Sequence, residues 1–221
     1  LDFFYAPPLD LDITRTKQKK EDCEKPATIS PTVWRQGLPD PKSGRNATIV
    51  KHCIIHHTAG SNSATDYTTI VRNIYLAHTE GNGWDDIGYN FLVAQDGTIF
   101  SGRDAQGVAD EDNIQGAHFC SKNGGTVGVA LLGNYNLTQP SSDMKTSLYD
   151  LLTWKLSKEM LNPFDEYAHP DALSDELGVV SGHRDGCATE CPGDSVYQLI
   201  SDIKATLRQR LIDCGQLSSI A

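Results

Sequence analysis

The chain has 221 residues, of which 38% are hydrophobic and 22% charged, and its formal net charge at pH 7 is −10. This size predicts one domain with an additional segment, and the lack of a long apolar run argues against a membrane span. Basic residues cluster only in RTKQKK at 15–20, which argues against a nucleic-acid partner. Six cysteines favour an oxidising compartment over the cytosol.

The N-terminal segment, residues 1–27, mixes prolines, charges and a few aromatic residues without helical or strand periodicity. We interpret it as an arm or linker that precedes a folded domain over residues 28–214, with a C-terminal tail at 215–221. The start at Leu1 shows no signal-peptide pattern. We therefore expect that a leader has been removed or that the ends have been trimmed.

The first half of the domain is predicted to contain a strand, a helix and a hairpin. IVKHCIIHH at 49–57 is apolar and β-branched, as in a buried strand. Apolar residues spaced by three and four then predict a helix over 67–81. YNFLVAQDGTIFSGR at 89–103 holds two apolar runs around Asp96-Gly97, which is typical of a tight hairpin turn.

The second half is predicted to add a central strand and two helices. TVGVALLGNY at 126–135 predicts the strand, and the long loop before it, 104–125, is of the kind that is usually functional or mobile. Apolar stripes predict a helix over 144–156 and a longer one over 196–211, with Pro192 in its first turn. The expected fold class is α/β, a central mixed β-sheet flanked by helices.

Two segments contain the residue types that bind zinc. His56 and His57 end the first predicted strand, and because side chains alternate along a strand, only one of them can face a given site. His183 and Cys191 follow in GHRDGCATEC. Two imidazoles and a thiolate satisfy the three protein ligands of a catalytic zinc. Spacing alone does not distinguish this zinc site from an alternative without metal. In that alternative, Cys187 and Cys191 form a disulfide or remain free thiols, and the histidines only make hydrogen bonds.

Six segments, in order, resemble the zinc-dependent N-acetylmuramoyl-L-alanine amidases, which share a fold with peptidoglycan recognition proteins and a phage lysozyme-type amidase. The segments are SPTVWRQG (30–37), IIHHTAG (54–60), GWDDIGYNFLVAQDGTIFSGR (83–103), QGAHF (115–119), VGVALLGNY (127–135) and GHRDGCATECPGD (182–194). The resemblance implies hydrolysis of the amide between N-acetylmuramic acid and L-alanine in peptidoglycan. It also implies a Zn²⁺ cofactor.

Eight residues are the candidates for the site, and the resemblance assigns the zinc ligands and the two hydrogen-bond donors among them. They are the zinc ligands His56, His183 and Cys191, the catalytic hydrogen-bond donors Tyr89 and Thr189, and the substrate contacts His57, Arg103 and His118. Asp185 is expected to orient a ligand or to cap its loop, and Glu190 to be exposed. Members of the family that lack a zinc ligand bind peptidoglycan without cleaving it. Since all three ligands are present, an enzyme is favoured, and a non-catalytic recognition module is the alternative.

Three features depart from the family. Animal recognition proteins carry a disulfide at two positions that here are residues 61–63 and Asp85, none of which is a cysteine. The absence of this disulfide favours a bacterial-type member. Asp104-Ala105 replaces the Gly-Trp of members that prefer diaminopimelate, so the stem-peptide preference stays open. The acidic residues 110–112 in the same loop are expected to form a solvated tip.

The cysteines suggest two disulfides. We expect Cys23 to pair with Cys214 and Cys120 with Cys187, which leaves Cys53 unpaired if Cys191 binds zinc. The disulfides predict a protein that is secreted, periplasmic or on the cell surface. We also expect a monomer, with peptidoglycan as its partner.

Overall fold

The computed structural model of the protein describes residues 23–170 and 175–218. Most of the predicted arm, residues 1–22, and the end of the predicted tail lie outside the described residues. The strands are β1 (His52–His57), β2 (Phe91–Val93), β3 (Ile99–Ser101), β4 (Thr126–Leu131), β5 (Glu166–Ala168), β6 (Glu176–Gly178) and β7 (Val180–Gly182). The α-helices are α1 (Pro31–Trp34), α2 (Tyr67–Leu76), α3 (Ser142–Glu159), α4 (Asp194–Tyr197) and α5 (Ile200–Asp213). Within the described ranges, no helix combines the length and apolar character needed to cross a membrane.

The central sheet has the strand order β3-β2-β4-β1-β7. β1 lies parallel to both β4 and β7, whereas β2 and β3 form the predicted antiparallel hairpin. All six residues of β1 are buried, as expected for a strand covered on both faces. The mixed sheet flanked by helices confirms the predicted fold class. The parallel strands β1 and β7 end at one edge of the sheet, which brings the residues that follow them together.

Helices cover both faces of this sheet. On one face, Leu148 of α3 and Leu207 of α5 belong to the same buried cluster as Val129 of β4. On the other face, Trp34 of α1 and Tyr75 of α2 pack edge to face with ring centroids 5.6 Å apart. The sheet is therefore held from both sides, and its carboxyl edge is a rigid base for a site.

Two helix predictions need correction. The predicted helix over 67–81 begins at Tyr67, but its α-helical part ends at Leu76 and one π-helical turn follows over Ala77–Gly81. The single helix predicted over 196–211 is wrong, because α4 and α5 are separate helices.

Pro192 is not in a first helical turn, which is a third correction. It follows a cis peptide bond, and α4 begins at Asp194. The reason is Gly193, which has a φ of +88° and packs so closely that a Cβ there would lie 2.6 Å from the carbonyl carbon of Tyr135. Only glycine fits this conformation and this approach.

The small hairpin of β5 and β6 was not predicted. Each strand has three residues and carries an exposed glutamate, Glu166 and Glu176. Strands this short show neither an apolar run nor a clear alternation, so hydrophobic periodicity does not detect them.

Both predicted disulfides are present. Cys23 is bonded to Cys214 and Cys120 to Cys187, whereas Cys53 and Cys191 are free thiols. Cys23 is buried, so the chain already contacts the core five residues before the boundary predicted at residue 28.

The acidic residues before β4 are a solvated tip only in part: Glu111 is exposed, as expected, whereas Asp110 and Asp112 form ion pairs. Lys158 Nζ lies 2.5 Å from Asp110 Oδ1, and Lys25 Nζ lies 2.6 Å from Asp112 Oδ1. The buried Lys155 donates from Nζ to the carbonyl oxygen of Asp112 at 2.8 Å. The contacts of Lys155 and Lys158 attach the loop to α3, and that of Lys25 attaches it to the N-terminal segment. The lysines are distant in sequence, so the acidic run alone did not indicate them.

Candidate functional site

The carboxyl edge of the sheet gathers the three predicted metal ligands. β1 ends in His56 and His57, and β7 leads at Gly182 directly into His183. The turn at Cys191 returns to the end of β1, where the backbone N–H of His57 donates to Cys191 Sγ at 3.3 Å. One ligand atom from each of His56, His183 and Cys191 lies within 4.8 Å of the other two.

The donor set and its spacing fit zinc. His56 Nδ1 and Cys191 Sγ are 3.7 Å apart. Two tetrahedral ligands at ordinary zinc–nitrogen and zinc–sulfur bond lengths lie about 3.6 Å apart. The rings of His56 and His183 have centroids 4.4 Å apart, so the third donor is close to the first two. Two imidazoles and a thiolate leave one tetrahedral position for another ligand.

Burial prepares the imidazoles for metal binding. It lowers the pKa of His56 well below the ordinary value, and it lowers the pKa of His183 to about 4. Both rings are therefore neutral at pH 7 and offer a lone pair. Burial raises the pKa of the Cys191 thiol to about 11, although the His57 N–H acts in the opposite direction. A metal ion must displace that thiol proton, so affinity rises with pH.

Tyr89 and Thr189 lie beside these ligands, on the wall of a groove. The Tyr89 ring packs against His56 with centroids 5.3 Å apart. Burial, with a smaller contribution from Cys191, raises the pKa of Tyr89, so its phenol stays protonated and can donate a hydrogen bond. Thr189 is exposed, and its Oγ1 accepts from the backbone N–H of Cys191 at 3.2 Å. Its hydroxyl proton is thus available to a bound molecule.

The groove has a volume of about 670 Å³. Its lining is rich in aromatic and imidazole rings, and it includes the Cys120–Cys187 disulfide. The ring-bearing residues of the lining are His78, Trp84, Tyr89, His118, Phe119 and His183. Flat rings with polar edges suit a ligand that has both apolar ring faces and hydrogen-bonding groups.

Of the three predicted substrate contacts, His118 lines this groove and the other two do not. His57 Nδ1 accepts from the backbone N–H of Tyr135 at 3.2 Å. Arg103 Nη1 donates to the carbonyl oxygen of Ile87 at 3.2 Å. Both side chains are thus engaged with backbone groups, and their role as substrate contacts stays a prediction.

The two carboxylates near the ligands hold structure. Asp185 accepts hydrogen bonds from the backbone N–H of Gly182 at 2.8 Å and from the Tyr197 hydroxyl at 2.5 Å. Asp185 therefore caps its loop, which is one of the two roles we expected for it. Glu190 is exposed, as expected, and accepts from Asn136 Nδ2 at 3.1 Å.

Two residues of the groove were missed by the sequence reasoning. His78 Nδ1 accepts from the backbone N–H of Gly88 at 3.0 Å, and burial lowers the pKa of His78 to about 4. Its ring packs against that of Trp84 with centroids 4.7 Å apart and a tilt of 39° between the planes. His78 falls within the helix predicted over 67–81, where its spacing fits the apolar stripe. Trp84, a tryptophan in a glycine-containing loop, was the available signal for an exposed aromatic surface.

The sequence profile of the family described as N-acetylmuramoyl-L-alanine amidase matches residues 45–194. The chain belongs to this family. The match includes all eight residues to which roles were assigned and five of the six segments, and it confirms the resemblance.

Relatives of this amidase family come from animals and bacteria. Peptidoglycan-recognition protein SC2 of Drosophila simulans is 33% identical over 156 residues, which cover 70% of this chain and 74% of the relative. The structure of human PGRP-IBETAC in complex with glycosamyl muramyl pentapeptide matches with a TM-score of 0.63 at 28% identity, over 80% of this chain and 95% of the other.

The endolysin amidase LysCS from Clostridium intestinale has a TM-score of 0.62 at 24% identity, over 84% of this chain and 97% of the other, which shows the shared fold. With animal recognition proteins and a clostridial amidase both similar, the assignment to a bacterial-type member stays a prediction.

Proposed function

We propose that the protein is a zinc-dependent amidase that hydrolyses the bond between the lactyl group of N-acetylmuramic acid and L-alanine in peptidoglycan. The observation that carries this proposal is the convergence of His56, His183 and Cys191, whose ligand atoms lie within 4.8 Å of one another, with His183 on the wall of the groove. Family members that only bind need no such donor set. The neutral imidazoles and the spacing of 3.7 Å between His56 Nδ1 and Cys191 Sγ support zinc as the ion.

The protein groups around the ligands have separate tasks. Zinc held by the three side chains supplies Lewis acidity toward the scissile carbonyl and toward water. The phenol of Tyr89 donates a hydrogen bond to the amide oxygen as negative charge develops on it, and removal of one such donor typically costs 10²–10³ in rate. Thr189, which also lines the groove, donates a second hydrogen bond from its hydroxyl. The raised pKa of Tyr89 keeps this donor protonated throughout the neutral range.

The groove supports a muropeptide as the substrate. The adjacent rings of His78 and Trp84, with centroids 4.7 Å apart, offer an apolar surface of the kind that covers a sugar ring. The complex of a related human protein with glycosamyl muramyl pentapeptide is consistent with this ligand class. We propose Arg103 and His57 as the remaining substrate contacts, and His118 as part of the groove wall that the substrate lies against.

The site of action follows from the two disulfides, which favour an oxidising environment. We propose a monomer that works outside the cytoplasm, where peptidoglycan is accessible: secreted, periplasmic or on the cell surface.

Two matched cysteine variants test the proposal. Cys191 and Cys53 are the free thiols, and both are buried. The purified wild type and Cys53→Ala should contain about one zinc ion per chain and release peptides with new L-alanine amino termini from peptidoglycan. Cys191→Ala should lose both properties. Wild-type protein that lacks zinc and binds peptidoglycan without releasing peptide would contradict the enzyme and leave a recognition module.

A further inference from the structure

His118 is held between the zinc-ligand His56 and the first residue of β4. Its Nδ1 lies 3.0 Å from His56 Nε2, and its Nε2 lies 3.3 Å from Thr126 Oγ1. The side chains of all three residues are buried. Both ring nitrogens of His118 are therefore engaged inside the protein, and neither is left for a direct hydrogen bond to substrate.

The direction of these hydrogen bonds follows from Thr126. Its hydroxyl lies 2.9 Å from the carbonyl oxygen of Asn123, which can only accept, so the hydroxyl proton is used there. Thr126 Oγ1 must then accept from His118 Nε2–H. A neutral imidazole carries one proton, so His118 Nδ1 is a lone pair and accepts from His56 Nε2–H. This leaves His56 Nδ1 unprotonated, and Nδ1 is the atom that faces Cys191 Sγ at 3.7 Å.

The backbone is shaped to keep the His118 ring in place. A Cβ on Gly128 would lie 2.5 Å from the ring's Cγ, and one on Gly116 would lie 2.6 Å from its Cδ2. The ring thus fits into space that two glycines leave open. Asn123 Oδ1 accepts from the backbone N–H groups of His118 and Phe119, each at 2.7 Å, which fixes the loop that carries the ring.

We propose that His118 is a positioning residue for the metal site, which acts through the hydrogen-bonded chain Asn123–Thr126–His118–His56. It fixes the tautomer of His56 so that Nδ1 presents its lone pair to zinc. Metal-binding histidines usually donate their second N–H to a carboxylate, a carbonyl or water. Here the lone pair of a second imidazole takes that place. The inference rests on the zinc site proposed above and assigns His118 a task other than contact with the substrate.

Zinc affinity of two pairs of variants tests the chain. Thr126→Val removes the hydroxyl at nearly constant volume, whereas Thr126→Ser keeps it. His118→Phe removes both nitrogens, whereas His118→Asn places a carboxamide oxygen near the position of Nδ1. Competition with a chromogenic chelator should show zinc bound about 10–100-fold more weakly by the Val and Phe variants. The Ser and Asn variants should stay much closer to the wild type.

The tautomers provide a readout that does not depend on activity. Nitrogen-15 NMR of the metal-free wild type at neutral pH should show His56 and His118 each protonated at Nε2. Thr126→Val should move part of the His118 population to the Nδ1–H tautomer, because no acceptor remains for Nε2–H.

The outcomes separate the two proposals. A wild type that does not bind zinc overturns the metal site and this inference together. If the wild type binds zinc, two results together overturn only the positioning role. Thr126→Val binds zinc as tightly as the wild type, and His118 of the wild type is protonated at Nδ1. Equal weakening in His118→Asn and His118→Phe also overturns it, because packing alone would then explain the loss.

Discussion

Asp86 belongs to the loop that leads to Tyr89, and it forms a buried ion pair with Arg45. Arg45 Nη2 is 2.8 Å from Asp86 Oδ2, and the two side chains are 1% and 0% exposed. Asp86 also accepts from the backbone N–H groups of Ile87 at 2.7 Å and Asp104 at 2.8 Å. One carboxylate thus joins three segments, and Asp86→Ala removes all three hydrogen bonds.

The size of the effect follows from what Arg45 retains. Removal of one partner of a buried ion pair typically destabilises by about 3–5 kcal/mol. In Asp86→Ala, Arg45 still donates to the carbonyl oxygens of Lys42, Gly44 and Asp104 at 2.9–3.0 Å, which partly solvate its charge. We therefore expect a loss near the lower limit, about 3 kcal/mol in the free energy of unfolding.

The neighbouring Asp85 is a matched control. Its side chain is 54% exposed and lies 3.8 Å from the exposed Lys42, so Asp85→Ala should cost less than about 1 kcal/mol. Urea unfolding monitored by tryptophan fluorescence measures both variants, with an unchanged slope required for a valid comparison. If Asp86→Ala and Asp85→Ala differ by less than about 1 kcal/mol, the reasoning from burial is refuted.

Three further predictions concern the donor, a disulfide and pH. Tyr89→Phe should lower kcat about 10²–10³-fold with unchanged zinc content, since one hydrogen bond to the developing charge is lost; zinc loss would contradict this. Replacement of Cys23 and Cys214 by serine releases a loop of 191 residues and should cost up to about 5 kcal/mol in urea unfolding; a change below about 1 kcal/mol would contradict the loop-entropy account. Burial lowers the folded-state pKa of His118 to about 3 and of His183 to about 4, below the ordinary 6.5. The unfolded chain therefore binds more protons, so the metal-free protein should keep its full stability above pH 6.5 and lose it as pH falls toward 4. Urea midpoints in the presence of a chelator that are equal at pH 7 and pH 5 would contradict this.

Much of the fold was predictable because the strong signals are local. The Asp96-Gly97 hairpin, the strand that ends in His56 and the apolar stripe of α3 each follow from residues close together in sequence. The position of Pro192 outside the helix was not predictable, because it depends on the approach of Gly193 to the backbone of Tyr135. Tertiary contacts of this kind leave no periodic pattern.

The candidate site divides in the same way. The three proposed metal ligands were identified by resemblance to known motifs, and the structure brings them together. The hydrogen-bonded chain from His118 to Thr126 was not predicted, because it depends on which ring nitrogen of His118 lies next to the Thr126 hydroxyl. Sequence spacing does not contain that information. His78 was hidden because its spacing fits a helix face, and the π-helical turn that begins at Ala77 changes the direction in which that face continues.

The bond that is cleaved is the central claim, and a defined muropeptide in ¹⁸O-enriched water tests it most directly. Mass spectrometry of the products formed by the zinc-loaded protein should show a free stem peptide with an unlabelled L-alanine amino terminus. One ¹⁸O atom should appear in the lactyl carboxylate of the released muramic acid. An intact muropeptide, or ¹⁸O in a peptide carboxylate or at a sugar carbon, would contradict the proposed amidase.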